Sequence, residues 1–160
     1  MAITVGDQIP DVGLRTMTSS GVTQVSSYDV LGKRRVVLFA VPGAFTPTCS
    51  GHHLPGFVLR AEELRAKEVD TIACIAVNDV FVMNAWAAAQ KVGDTVVMLA
   101  DGNGDFARAV GLDTDLTAAG LGLRSKRYAM VLEDGFVRQL FVEPGPGLQV
   151  SSAEAVLAAL

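Results

Sequence analysis

Three short apolar runs, rich in β-branched residues, alternate along the chain with stretches of helical pattern. The apolar runs extend from Arg35 to Val41, from Thr71 to Val77 and from Thr95 to Leu99, and the helical stretches follow Pro47, Asp79 and Asn103. Such alternation is typical of strand-helix-strand units, in which the strands pair in parallel and helices cover the faces of the sheet. The sequence therefore predicts a layered α/β fold.

The carboxyl-terminal part of the chain adds a different signal. Two further apolar runs, Tyr128 to Leu132 and Phe136 to Val142, flank Glu133-Asp134-Gly135, which predicts an antiparallel hairpin. Joined to the parallel strands, this hairpin gives a mixed central sheet flanked by helices. Ser151 and Glu154 have the spacing of a capping box and predict a capped terminal helix, with Ser151 as the cap.

Length and charge limit the class of protein. The chain has 160 residues, half of them hydrophobic, and its net charge is −4. No linker, repeat or low-complexity stretch divides it, so residues 1–160 are expected to form a single domain. Because nucleic-acid binding normally needs a basic face, no nucleic-acid partner is expected.

The ends of the chain and its cysteine count bear on its compartment. The amino terminus lacks the basic and long apolar segments of a secretory signal. The longest apolar runs, Val36 to Val41 and Ala155 to Leu160, are too short to span a bilayer, and two cysteines do not make a disulfide framework. We expect a cytoplasmic protein with no membrane partner. A transit peptide already removed would leave no trace, so an organelle stays open.

Cys49 lies where the first apolar run gives way to a helical stretch, in the segment Pro42-Gly43-Ala44-Phe45-Thr46-Pro47-Thr48-Cys49-Ser50-Gly51. Unpaired backbone N–H groups at a helix N-terminus stabilise an anion, so a thiolate is favoured at this position. Pro42 and Pro47 stiffen the turn, and Thr46 places a hydroxyl one turn from the sulfur. Cys49 is therefore a candidate nucleophile.

A thiolate that attacks an O–O bond needs donors that stabilise the leaving oxygen, together with exclusion of bulk water. Arginine fits this role because its guanidinium stays charged and presents several N–H groups in a fixed fork. Arg124 and Arg127 both lie in a basic cluster, and spacing alone does not choose between them. A solvated loop would also explain the cluster.

Two patterns in the sequence are superficially similar to metal sites. One is formed by Cys49, His52 and His53, and the other by the acidic run from Asp101 to Asp105. A structural zinc takes four ligands, and no second ligand pair is evident. In the acidic run, Phe106 stands where a calcium loop requires glycine. We expect this run to be a turn before a helix, with Asn103 or Asp105 as the cap.

At Pro42, Thr46 and Cys49 the sequence resembles the peroxiredoxins, whose active-site pattern is Pro-x-x-x-Thr-x-x-Cys. The likeness to the type II (atypical) branch continues from Ser50 to Phe57. Other segments similar to that branch in order and spacing are Val77-Asn78-Asp79 with Trp86, Leu99 to Gly104, and Lys126 to Val131. The resemblance covers nearly the whole chain.

This resemblance implies a thioredoxin-like fold and a thiol-dependent peroxidase that reduces hydrogen peroxide and organic hydroperoxides through a cysteine sulfenic acid. Cys49 would attack the peroxide, and Thr46 would hydrogen-bond it. Arg127 would hold the thiolate and the peroxide oxygens, Pro42 would shield the site from water, and His53 would orient the loop. No metal or organic cofactor is implied, whereas a homodimer is.

Cys74 lies in a buried-strand pattern, where an inert core thiol and a resolving cysteine are both open readings. A resolving cysteine would attack the Cys49 sulfenic acid and form an intramolecular disulfide. Some type II members resemble this chain in carrying a second cysteine at this spacing. The bond needs Cα atoms within about 7 Å, and local unfolding is one way for a strand thiol and a helix-start thiol to reach that distance. Otherwise an external thiol is the reductant, and the resemblance favours glutathione with glutaredoxin over thioredoxin.

Two other functions compete with peroxide reduction. A glutaredoxin-like thiol-disulfide oxidoreductase would reduce mixed disulfides rather than peroxides, and the missing Cys-x-x-Cys pair argues against it. A non-catalytic redox sensor would use Cys49 as a switch. It would be oxidised stoichiometrically, without turnover.

Overall fold

The computed structural model describes residues 1–160 and has a seven-stranded mixed sheet at its centre. The strands are β1 Gly13–Thr18, β2 Gly21–Ser26, β3 Arg35–Ala40, β4 Thr71–Ala76, β5 Val97–Ala100, β6 Asp113–Asp115, β7 Leu123–Ser125, β8 Tyr128–Glu133 and β9 Phe136–Val142. The strand order in the sheet is β2-β1-β5-β4-β3-β8-β9, while β6 and β7 form a separate two-stranded ribbon.

Helices cover the sheet and connect its strands. They are α1 Ser27–Leu31, α2 Leu54–Leu59, α3 Ala61–Ala66, α4 Val80–Ala89, α5 Asp105–Ala109 and α6 Ala153–Ala159, with a π-helical turn at Cys49–His53 and a 3-10 turn at Thr117–Ala119. None of these helices is both long enough and apolar enough to cross a membrane.

The predicted sheet is confirmed in its central strands. β3, β4 and β5 pair in parallel, and the hairpin β8–β9 adds antiparallel pairing beside β3. The hairpin turns at Asp134 and Gly135, both with positive φ, as the turn signal predicts. These strands form the mixed, thioredoxin-like sheet flanked by helices that the sequence analysis expected.

Two pairs of strands were not predicted. β1 and β2 form an antiparallel hairpin that extends the sheet beyond β5, and β6 pairs with β7 outside it. These strands are short or half exposed and contain many Thr, Ser and Arg side chains, so they lack the continuous apolar pattern of a buried strand.

The core has two parts because β3 is buried on both faces of the sheet. Val37 and Phe39 pack into a cluster of 22 buried residues, while Val36 and Leu38 pack into a second cluster of 17. The first cluster contains Cys49 and side chains of α2, α4 and α6. This face of the sheet therefore carries the candidate nucleophile.

The predicted cap of α6 is wrong by one residue. Ser152, not Ser151, is the N-cap, and its hydroxyl accepts a hydrogen bond from the Ala155 N–H. Glu154 makes no capping box and forms an ion pair with Arg60. Ser151 is instead buried; its hydroxyl donates to Glu143 and its carbonyl accepts from His53. The capping pattern alone could not reveal these partners.

The predicted cap of α5 is also wrong. Gly104 occupies the N-cap position, and neither Asn103 nor Asp105 caps the helix. The carboxylate of buried Asp101 reaches the helix end and accepts hydrogen bonds from the N–H groups of Phe106 and Ala107, at 3.0 and 2.9 Å. A carboxylate here is favoured by the positive end of the helix.

Candidate active site

Cys49 lies in the first turn of a helical segment that begins at Pro47 and continues into α2. Its backbone belongs to a π-helical turn, in which the Leu54 N–H donates to the Cys49 carbonyl five residues back. The side chain is fully buried. The backbone N–H groups of a first helical turn favour a negative charge, so this position suits a thiolate.

The loop before Cys49 is held by specific hydrogen bonds. The Thr46 hydroxyl donates to the Gly43 carbonyl at 2.7 Å, and the Ala44 N–H donates to Asn78 Oδ1 at 2.9 Å. Phe45 has φ 65°, a left-handed conformation that a bulky residue adopts at a cost of about 1–2 kcal/mol. These bonds hold the strained turn that leads to Cys49.

Arg127 contacts the sulfur of Cys49. Its Nη2 donates to Sγ at 3.3 Å, and its Nη1 lies 3.0 Å from Nδ1 of His53. Arg124 points to other partners, the carbonyls of Leu121 and Val77. Of the two arginines that spacing could not separate, Arg127 is the one brought to the thiol.

His53 is held in one tautomer by its two neighbours. A guanidinium can only donate, so Nδ1 accepts from Arg127 and Nε2 carries the hydrogen. Nε2 then donates to the Ser151 carbonyl at 2.9 Å. Burial, together with the charge of Arg127, lowers the pKa of His53 to about 4, although the bond to Ser151 opposes this shift. The imidazole is therefore neutral at physiological pH.

The structure does not gather Cys49, His52 and His53 into a metal site. His52 is exposed, whereas both ring nitrogens of His53 are engaged by Arg127 and Ser151. No three His, Cys, Asp or Glu side chains lie together in a geometry that could hold a metal ion.

A cavity of about 510 Å³ opens in front of Arg127. The other residues that line it are Pro42, Thr46, Pro47, Thr48, Thr114, Leu116, Leu121, Ser125, Lys126, Glu143, Pro144, Gly145 and Pro146. Cys49 is absent from this lining because its sulfur is buried next to the Arg127 guanidinium. Three predicted site residues, Pro42, Thr46 and Arg127, thus share one cavity.

Cys74 occupies the middle of β4, opposite Phe39 of β3 and Met98 of β5. It is fully buried and belongs to the same core cluster as Cys49, yet both thiols are free. Burial raises the pKa of Cys74 well above its ordinary value, and the neighbouring Cys49 adds to this effect. In this conformation Cys74 is a protonated core thiol.

Glu143 and Ser151 belong to the surroundings of the site, but the sequence analysis gave neither of them this role. The Glu143 carboxylate accepts bonds from the Ser151 hydroxyl and from the backbone N–H groups of residues 149–151. Burial by itself would raise the pKa of Glu143, but these bonds outweigh it and lower the pKa. The run Pro144-Gly145-Pro146-Gly147 in this loop has the composition of a turn and gives no local indication of the Glu143–Ser151 contact.

Ser50, next to Cys49, is a further contact that the sequence did not indicate. Its Oγ accepts a hydrogen bond from Nε1 of buried Trp86 at 2.9 Å. This bond joins the π-helical turn to α4. Together, a thiol in a first helical turn, an arginine on its sulfur and a thioredoxin-like sheet define a cysteine-dependent redox enzyme.

Comparisons with known proteins narrow this class to one family. The Redoxin family pattern matches residues 4–157. Peroxiredoxin-2E, chloroplastic, of Arabidopsis thaliana is 48% identical over 99% of this chain and 70% of its own length, and Peroxiredoxin-2D of the same plant is 45% identical over 99% and 98%. Reduced Prx3 of Vibrio vulnificus, in complex with H2O2, is 46% identical with a TM-score of 0.94, covering 98% of each chain.

This chain belongs to the peroxiredoxin family and is of the type II kind. The resemblance that the sequence analysis drew from the Pro42, Thr46 and Cys49 pattern is thereby confirmed. The protein is a thiol-dependent peroxidase, and its reaction passes through a cysteine sulfenic acid.

Proposed function

We propose that Cys49 is the thiol that reduces the hydroperoxide. The thiolate sulfur attacks the terminal oxygen of ROOH, so an S–O bond forms as the O–O bond breaks. The leaving RO⁻ takes a proton and departs as ROH, and Cys49 becomes the sulfenic acid. The observation that carries this assignment is the 3.3 Å contact between Arg127 Nη2 and Cys49 Sγ. The Arg127 guanidinium places a fixed positive charge beside the thiolate and beside the peroxide oxygen that becomes negative as the O–O bond breaks.

Thr46 and Pro42 have separate roles in this proposal. The Thr46 hydroxyl hydrogen is committed to the Gly43 carbonyl, so its oxygen lone pairs are free to accept a bond from the peroxide O–H. Pro42 has no N–H and lines the cavity, where it limits the approach of water to the sulfur. Arg127 donates to both the thiolate and the peroxide oxygens.

We propose organic hydroperoxides as substrates beside hydrogen peroxide. One water needs roughly 10–15 Å³ of cavity space, whereas this cavity offers about 510 Å³ and so exceeds what hydrogen peroxide requires. Leu116 and Leu121 contribute apolar surface to its lining, together with four prolines. This space accommodates an alkyl or aryl group on the peroxide.

An external thiol is the reductant that we favour, with glutathione and glutaredoxin ahead of thioredoxin. Cys74 is held in a central strand with parallel neighbours on both sides, and its thiol is protonated, so it is poorly prepared to attack Cys49. Resolution by Cys74 would need the active-site turn to unfold locally. Glutathione-dependent and thioredoxin-dependent turnover, measured side by side, distinguishes the two reductants.

We also propose that residues 1–160 form one domain and that the protein is a homodimer. We place it in the cytoplasm or in an organelle with a reducing interior. Both cysteines are free, as expected in such a compartment. Phe45 and Phe81 are 54% and 67% exposed on neighbouring segments, which supports a dimer contact. Light scattering on the purified protein measures the oligomeric state.

Turnover of hydrogen peroxide with excess dithiol tests the assignment of Cys49. Cys49→Ser should lose peroxidase activity with its circular dichroism unchanged, whereas Cys74→Ser should keep most of it. Oxidation of the wild-type protein without turnover would instead support the sensor. Reduction of glutathione mixed disulfides but not of peroxide would support a glutaredoxin-like enzyme.

A further inference from the structure

The Glu143 carboxylate holds the segment that follows the Pro-Gly turn. Its oxygens accept hydrogen bonds from four donors: Gln149 N at 2.9 Å, Val150 N at 2.8 Å, Ser151 N at 2.8 Å and Ser151 Oγ at 2.7 Å. Glu143 itself is only 7% exposed. Because bonds to an ionised acceptor are about twice as strong as neutral ones, this carboxylate is the main anchor of residues 149–151.

The anchored segment in turn sets the state of His53. The Ser151 carbonyl accepts from Nε2 of His53, which keeps the hydrogen on that nitrogen and leaves Nδ1 as an acceptor. Nδ1 then receives Nη1 of Arg127 at 3.0 Å. If the carbonyl moved away, the opposite tautomer would become available, and its Nδ1–H would face an N–H of Arg127.

Arg127 depends on this partner for its orientation. Its side chain is buried, and in the structure Nη1 bonds to His53 and Nη2 to Cys49, while Nε has no partner. The guanidinium is a rigid plane, so the bond at Nη1 fixes where Nη2 points. No carboxylate forms an ion pair with Arg127. His53 is therefore the group that holds the Nη1 side of the guanidinium.

We propose that Glu143 is a positioning residue for peroxide reduction: through residues 149–151 and His53 it holds Arg127 against Cys49. Glu143 does not touch the sulfur; three successive contacts lead from Glu143 to Arg127, and a fourth joins Arg127 to Cys49. The inference rests on the proposed role of Arg127 and deepens it.

A double-mutant cycle on Glu143→Ala and His53→Leu tests the pathway. The measured quantity is the second-order rate constant for oxidation of reduced protein by hydrogen peroxide, followed by the fluorescence of Trp86, the only tryptophan. Each single variant should lower this rate constant about tenfold, because small displacements of a catalytic group are costly. The double variant should show no further loss, since both changes break the same chain of contacts.

Ser152→Ala is the matched control, because it removes the cap of α6 beside the same segment without touching Glu143. It should keep the wild-type rate constant. If Glu143→Ala does not fold cooperatively, Glu143→Gln replaces it in the cycle, because the amide keeps the shape of the side chain but loses the charge.

Two results would overturn the proposal while wild-type peroxidase activity remains: a rate constant for the Glu143 variant within twofold of wild type, or losses that multiply in the double variant. If the two substitutions lower the rate constant independently, Glu143 supports the fold and does not act through His53. A wild-type protein inert towards peroxide would contradict the proposed function instead.

Discussion

The geometry of Arg127 determines which groups its positive charge reaches in the site. Two of its nitrogens reach different partners, Cys49 and His53, from one rigid plane. A lysine at this position would bring the same charge but could not make both contacts in a fixed arrangement. Residue identity, and not charge alone, therefore sets the electrostatics at the sulfur.

Replacing Arg127 by lysine should slow peroxide reduction by about two orders of magnitude, since a directed donor to the developing charge is lost. Stopped-flow oxidation of the reduced protein measures the rate constant. Arg138→Lys, on an exposed arginine paired with Glu133, is the control and should react as wild type. Equal rates for Arg127→Lys and the control would move the role to Arg124 or Lys126.

His53 connects the site to the stability of the fold. Its pKa in the folded protein is about 4, below the ordinary value of 6.5, because the neutral ring is buried. As pH falls below 6.5 the unfolded chain takes up the proton first, so the free energy of unfolding decreases until pH reaches about 4. The loss attributable to His53 is on the order of 3 kcal/mol.

Urea unfolding of wild type and His53→Gln at pH 7.5, 5 and 4 measures this loss, because glutamine does not titrate. Carboxylates titrate in both proteins and cancel in the comparison. The wild type should lose the additional stability on acidification, and His52→Gln, at an exposed histidine, should behave like the wild type. Parallel pH dependence of wild type and His53→Gln would show that burial of His53 has no such effect.

At the scale of secondary-structure elements, the helical segment that carries Cys49 is fixed at several points. The Trp86–Ser50 bond ties its π-helical turn to α4, and the Ala44–Asn78 bond ties the preceding loop to the end of β4. π-helical turns inside helices occur frequently at functional sites. These contacts oppose displacement of the turn that carries Cys49.

The cap of α5 offers a test at this scale. Asp101→Ala should lower the free energy of unfolding by about 1–3 kcal/mol, because two N–H groups of the helix end lose a buried acceptor. Asn103→Ala should change it by less than about 0.5 kcal/mol, since the exposed Asn103 side chain caps nothing. Chemical denaturation of the two variants shows which residue stabilises the end of α5. A larger loss of unfolding free energy for Asn103→Ala than for Asp101→Ala would contradict the structure.

At the scale of the whole molecule, the sequence was most informative where its signals are local. β3, β4 and β8 are buried on both faces, and their continuous apolar runs identified them. Cys49 was proposed as the nucleophile from its position where an apolar run gives way to a helix, and the structure places it in a first helical turn. The half-exposed hairpin β1–β2 lacks such a pattern and was missed.

Contacts that depend on tertiary structure could not be found in this way. Arg127 is 78 positions from Cys49 and was assigned only through the family resemblance. The Glu143–Ser151 cluster is linked to His53, which lies 98 positions from Ser151, so only the folded chain brings these groups together. Local capping rules even assigned Ser151 a different partner.

The central claim is that peroxide oxidises Cys49 first. Reduced protein is treated with one equivalent of hydrogen peroxide in the presence of dimedone, which traps sulfenic acids, and both cysteines are then located by peptide mass mapping. We expect the dimedone adduct on Cys49, with Cys74 as a free thiol. An adduct on Cys74 while Cys49 stays reduced would contradict it.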